Sequence, residues 1–126
     1  MDNSASTILV IEQDLALREL LVEWLESAGY AVRTSLSGRS VAAIAVDVIL
    51  VDLPDPRATG AATVARWRAE HRGAHVIALS TRLERSIGAT SRLNREFGAD
   101  RLLAKPLGRT ELLAVVQSVL GRAART

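Results

Sequence analysis

Acidic, hydroxyl and ammonium side chains stand directly after the apolar runs of this chain, where a folded sheet could gather them. Glu12, Gln13 and Asp14 follow one run, and Asp52 ends another ahead of Leu53-Pro54-Asp55-Pro56. Ser80 and Thr81 follow a third run, and Lys105-Pro106 follow the last. Brought together, carboxylates, a hydroxyl, an ammonium and the backbone of a Pro-containing turn suit a hard cation and a phosphoryl group. Mg²⁺ takes oxygen ligands plus water, and fixed positive charge offsets the charge on a transferred phosphoryl. Lys105 stands out by type, because the other fifteen basic residues are Arg. A compact ammonium fits beside a phosphoryl where a planar guanidinium would crowd it.

These groups converge only if the runs are strands of one sheet. Five runs, Thr7–Ile11, Tyr30–Thr34, Val48–Val51, His75–Leu79 and Arg101–Ala104, alternate with helical stretches. The first, third and fourth are nearly continuous hydrophobics, as parallel strands covered on both faces require. Leu17, Leu20, Leu21, Trp24, Leu25 and Ala28 recur at helical spacing and predict a buried stripe. Asp14 is placed to cap that helix and Gly29 to end it. Further helices are expected near Arg39–Ala45, from Gly60 to His71 with Val64 and Trp67 inward, from Leu83 to Phe97, and from Arg109 to Gly121. In the last of these Leu112, Val116, Val119 and Leu120 line one face. Arg82, Arg85, Arg92 and Arg95 would share one side of the fourth helix, as a solvated face or a docking surface. The expectation is an α/β fold: a doubly wound, five-stranded parallel sheet with five helices. Its site lies at the carboxyl ends of the strands.

Composition narrows the function classes. A chain of 126 residues suits one domain, with a core from about residue 7 to 121. Aromatics make up only 3%, so the interior must rest on Leu, Val, Ile and Ala. No apolar run approaches the ~20 residues of a membrane span, and the polar start MDNSAST does not read as a secretory signal. Zero cysteines exclude a disulfide framework and thiolate metal sites. A net charge of +2 is too small to argue for nucleic acid. The expectation is a cytoplasmic protein with no membrane and no direct nucleic-acid partner.

Four features in order resemble the response-regulator receiver family over Ile8 to about Gly121. They are the Glu12-Gln13-Asp14 cluster after the first strand, Asp52 with Pro56 four and Gly60 eight residues on, Ser80 closing the fourth strand, and Gly98-Ala99-Asp100 leading into Leu103-Ala104-Lys105-Pro106. The resemblance implies a flavodoxin-like fold of the receiver type. It makes Asp52 the acceptor of a phosphoryl group from a histidine kinase or phosphotransfer protein, with Mg²⁺ as cofactor. Glu12 becomes a metal-site acid acting through a water, and the Pro54 carbonyl a metal ligand. Ser80 would bond a phosphoryl oxygen, and Lys105 would pair with the phosphoryl or with Asp52. Such a domain is no enzyme beyond its own phosphorylation and dephosphorylation. Its output is a downstream protein or self-association through the face running from the fourth helix to the last.

Three departures from the family pattern bear on that reading. Gln13 stands where a second metal-site acid is usual; it keeps a carbonyl oxygen and loses a charge, which weakens Mg²⁺ binding. Leu102 replaces the usual aromatic three residues before Lys105, and Thr81 stands where a smaller residue is common. They motivate an alternative, a phosphorylation-independent scaffold or dimerisation module. A third reading, a flavodoxin-like cofactor binder, is disfavoured because Glu12 and Asp14 would repel a phosphate at the first strand's end.

Overall fold

Ile8, Leu9, Val10 and Ile11 are all buried, as are residues 48–51 and 76–79, and strands buried at successive positions need cover on both faces. The structure, a computed structural model, describes residues 5–35, 45–83 and 92–121, with the backbone alone at 93–95. The elements run β1 (Thr7–Ile11), α1 (Leu15–Ser27), β2 (Ala31–Ser35), β3 (Val48–Asp52), a π-helical turn (Pro56–Gly60), α2 (Ala61–Glu70), β4 (His75–Ser80), α3 (Arg92–Phe97), β5 (Arg101–Ala104) and α4 (Arg109–Leu120). All strand pairs are parallel in the order β2-β1-β3-β4-β5, so the sequential direction reverses between β1 and β3. That is the doubly wound sheet expected from the alternation of runs.

Alternate residues of each strand face opposite sides, and each side has its own core. Ile8, Val10, Leu50, Ile77, Leu79 and Leu103 pack against Leu21 and Leu25 of α1 and Leu112 and Val116 of α4. Leu9, Ile11, Ile49, Val51, Val76 and Leu102 pack against Val64 and Trp67 of α2 and Phe97 of α3. Gly60 is buried where a Cβ would stand 3.4 Å from Leu53 Cδ1 and 3.5 Å from Phe97 Cδ1, so α2 approaches the end of β3 closely. α4 ends at Gly121 in the left-handed region (φ 70°), where glycine carries no Cβ penalty.

Several expectations need correction. β2 begins at Ala31 rather than Tyr30 and extends to Ser35. The α1 stripe is narrower than its spacing implied: Leu21 and Leu25 are buried and Leu17 and Trp24 partly so, but Leu20 is 43% exposed and Ala28 is on the surface. Leu20 sits at the margin of the stripe, where the helix has already turned away from the sheet. Four α-helices occur among the described residues, and the one expected at Arg39–Ala45 lies almost wholly outside them. Of the fourth expected helix, residues 92–97 are helical. Arg82 belongs to the turn after β4 and Arg85 lies outside the described residues, so no continuous four-arginine face is described.

Two substitutions separate the core from its margin. Leu50→Ala is expected to cost about 2–5 kcal/mol, because it empties a fully buried position between sheet and helices. Leu20→Ala should change stability by less than about 0.5 kcal/mol. Urea unfolding of both variants checks the pair.

Candidate functional site

Register places the chemistry. Ile11 lies opposite Val51, so Glu12 and Asp52 leave neighbouring strands at the same level. Ser80 lies opposite Ala104, so Lys105 emerges one residue beyond. The backbone secures this edge, with Leu53 N–H donating to Leu79 O at 2.7 Å and Lys105 N–H to Ser80 O at 2.9 Å.

The Lys105 ammonium bridges the first and third strands. Its Nζ donates to Asp52 Oδ1 at 2.8 Å and to Glu12 Oε1 at 2.9 Å. All three side chains are largely withdrawn from water: 11% exposed for Lys105, 17% for Asp52 and 3% for Glu12. Burial opposes the charge on Lys105, but hydrogen bonding and charge from Asp52 and Glu12 outweigh it, holding the ammonium above the ordinary lysine pKa of 10.5. The pairing therefore stabilises the fold fully below the unfolded lysine's pKa. The lysine's contribution is lost as pH climbs through the higher folded value, in the alkaline range above about pH 10.

Glu12 is also held from its other side. Its Oε2 accepts the Asp14 N–H at 3.1 Å, and its carbonyl accepts Arg18 Nη1 at 2.9 Å. Asp14 caps α1 by accepting Leu17 N–H at 3.1 Å, the capping role expected for it. Ser80 is buried, and its Oγ accepts the Arg82 N–H at 3.0 Å, tying down the turn after β4. Leu102 is buried in the core on the α2 side of the sheet, while Thr81 is exposed. Beside Asp52 lies a cavity of about 220 Å³ bordered by Gln13, Pro54, Thr63, Arg66 and Trp67. The structure thus brings Glu12, Asp52 and Lys105 into direct contact and sets Gln13 and Pro54 around one cavity with Asp52. Ser80 sits on the same sheet edge, engaged in its own turn.

A largely buried ammonium between carboxylates at the carboxyl ends of three parallel strands agrees with comparison to known families. The family model for the response regulator receiver domain matches residues 8–117. This chain belongs to the response regulator receiver family. The chemotaxis response regulator CheY4 of Vibrio cholerae is similar at 25% identity and a TM-score of 0.73, with 92% of this chain and 99% of that one covered. A CheY-like receiver domain protein from Methanospirillum hungatei JF-1 aligns with a TM-score of 0.73 at 20% identity over 93% and 94% of the two chains. A response regulator from Thermotoga maritima, at 17% identity, covers 92% and 98% with the same score of 0.73. At such identity these last two speak for the fold alone. Among curated proteins none matches the chain. Receiver domains generally work with histidine kinases and downstream effectors and generally depend on Mg²⁺.

The donors around the cavity fit a hydrated hard cation in kind: a carboxylate from Asp52, an amide oxygen from Gln13 and the backbone at Pro54. They fit it thinly in charge. Glu12 spends one oxygen on Lys105 and the other on Asp14 N–H, and no group of three or more Asp, Glu, His or Cys poised for a metal occurs among the described residues. No helix among those residues is long and apolar enough to cross a membrane.

Sequence reasoning missed the arginines that shape the surroundings. Arg68 Nε donates to Gly98 O at 2.8 Å and Nη2 to Asp100 Oδ2 at 3.0 Å, while Asp100 also accepts the Val76 N–H at 2.8 Å. Gly98-Ala99-Asp100 is therefore a brace between α2, β4 and the entry to β5. Only the pairing of an α2 arginine with a distant acid could have signalled it, and that pairing is invisible in linear spacing.

As the only lysine in the chain, Lys105 can be followed by amine acylation at pH 9, with the N-terminal amine as internal reference. Slow labelling is expected because little of the raised-pKa amine is neutral there. Asp52→Asn, which removes one hydrogen bond and one charge, should speed labelling several-fold, read by peptide mass spectrometry.

Proposed function

We propose that Asp52 accepts a phosphoryl group from a phosphohistidine on a histidine kinase or phosphotransfer protein, and that this modification changes which partner the domain binds. The carrying observation is the Lys105 ammonium 2.8 Å from Asp52 Oδ1, a largely buried positive charge at a carboxylate that also borders an open cavity. A carboxylate oxygen of Asp52 attacks phosphorus, the donor's P–N bond breaks, and its electron pair stays with the imidazole nitrogen. Lys105 offsets charge on the phosphoryl oxygens without moving, since its position is fixed by Glu12. Ser80 would donate its hydroxyl hydrogen to a phosphoryl oxygen.

Asp52, the Gln13 amide oxygen and the Pro54 carbonyl would hold Mg²⁺, with Glu12 acting at most through a water. When bound, the ion supplies positive charge between two anionic reactants. The protein acts as a phosphoacceptor, not as an enzyme on other substrates, and this chemistry belongs to the cytoplasm where such kinases present their phosphohistidines. The proposed output surface is the side of the sheet running from the segment after β4 to α4.

Gln13, Thr81 and Leu102 favour a second reading, a scaffold whose partner binding ignores phosphorylation. The two separate on one substitution. With Mg²⁺ and phosphoramidate, a mass gain of one phosphoryl group is expected and should vanish in Asp52→Asn. Absence of labelling by the small donor and by a cognate kinase at high Mg²⁺ would leave the scaffold standing, as would partner binding unchanged in Asp52→Asn. Gln13→Asp restores a second acid beside the cavity and should tighten Mg²⁺ about tenfold, measured by calorimetry.

A further inference from the structure

Arg66 has no part in the constellation just described, yet it borders the same cavity as Asp52, Gln13 and Pro54. It lies on α2 with its guanidinium carbon 4.9 Å from the centre of the Trp67 ring and its Nε 3.3 Å from Glu70 Oε2. Trp67 is a firm platform: it is 1% exposed, belongs to the core, and stacks on His71 with ring centres 6.0 Å apart and planes 13° from parallel. A guanidinium stacked on a fixed aromatic face and tied at Nε keeps a restricted orientation at the cavity wall.

Charge then decides what the cavity receives. Among the described residues its border carries one carboxylate, Asp52, and one guanidinium, Arg66, with Gln13 neutral between the strand ends. The Glu12 charge is turned toward Lys105 and Asp14 N–H. On the Arg66 side a divalent cation meets a like charge, offset in part by the Glu70 carboxylate 3.3 Å away, whereas a phosphoryl group meets an opposite one. Arginine presents paired N–H donors that match phosphoryl oxygens.

We infer that Arg66 is a phosphoryl-binding residue of this site, holding the oxygens of the incoming donor and of the modified Asp52 while opposing Mg²⁺. It supplies from α2 part of the positive charge that Gln13 no longer recruits through the metal. The inference rests on Asp52 being the phosphoacceptor, and its tests are chosen to be read apart from that.

Arg66 is half-exposed, with 47% of its side chain accessible, so Arg66→Gln and Arg66→Lys should fold normally. Calorimetric titration of the full chain with Mg²⁺ should show Arg66→Gln binding the ion ~3–10-fold more tightly than the parent, the effect of removing one charge near a dication. In an Asp52→Asn, Trp24→Phe background transfer cannot occur and Trp67 is the sole tryptophan. Phosphoramidate binding followed by its fluorescence should weaken ~3–10-fold on adding Arg66→Gln, with Arg66→Lys between. In the parent, labelling of Asp52 should persist at Mg²⁺ concentrations where Arg66→Gln is no longer labelled. Equal Mg²⁺ affinity and equal phosphoramidate binding in parent and Arg66→Gln overturn the inference even if Asp52 is labelled. An unlabelled parent that nonetheless shows both Arg66 effects removes the phosphoacceptor reading and leaves Arg66 as an anion-binding residue.

Discussion

The ammonium of Lys105 joins the ends of β1 and β3 through Glu12 and Asp52, and the carboxyl edge of the sheet depends on that junction. Two carboxylates on adjacent parallel strands at the same register would repel each other in a setting with little water. A buried cation between them turns the repulsion into attraction. Removing one member of such a group is costly because it strands the others, even where replacing the whole by apolar residues would be nearly neutral. Glu12 is the member with least recourse to solvent, its side chain 3% exposed. Its second oxygen is fixed by Asp14 N–H, and Asp14 caps α1. The junction therefore sets where the first helix begins as well as where Lys105 points.

The same edge is stiff beneath and adjustable above. Beneath it, both faces of β1, β3 and β4 are packed with Val, Ile and Leu, so the strand ends cannot shift relative to one another without disturbing two cores. Above it, Ser80 holds the turn after β4 through one hydrogen bond to Arg82 N–H, and Pro54 and Gln13 border open space. A group added to Asp52 acts on this upper layer, because the lower one offers no room.

Much of this was legible in sequence, and the reasons are physical. Continuous apolar runs ending in polar residues announce doubly covered strands, and all five strands lie within a residue of the expected places. Asp52 and Lys105 were readable because each sits one step past such a run, and the register of parallel strands carries them together. Periodicity failed at Leu20, since helical spacing gives a direction but not the width of the groove that receives it. It failed again at Arg82, where a turn interrupts the pattern. Contacts across the fold, such as Arg68 with Asp100 and with Gly98 O, left no trace in spacing because they join residues whose neighbours say nothing of each other. The double engagement of Glu12 was equally hidden: the family resemblance implied a metal-site acid, while its surroundings give both oxygens partners within the protein.

Glu12, Asp52 and Lys105 come from the first, middle and last thirds of the chain. A nascent polypeptide that has made β1 and β3, but not yet β5, holds two neighbouring anions with no counter-charge between them. The final strand thus brings the neutralising cation as well as its own apolar residues, and chains cut short of it lack the means to close their own sheet edge. The carboxyl edge of the sheet is therefore neutralised only once β5 has delivered Lys105 to Glu12 and Asp52.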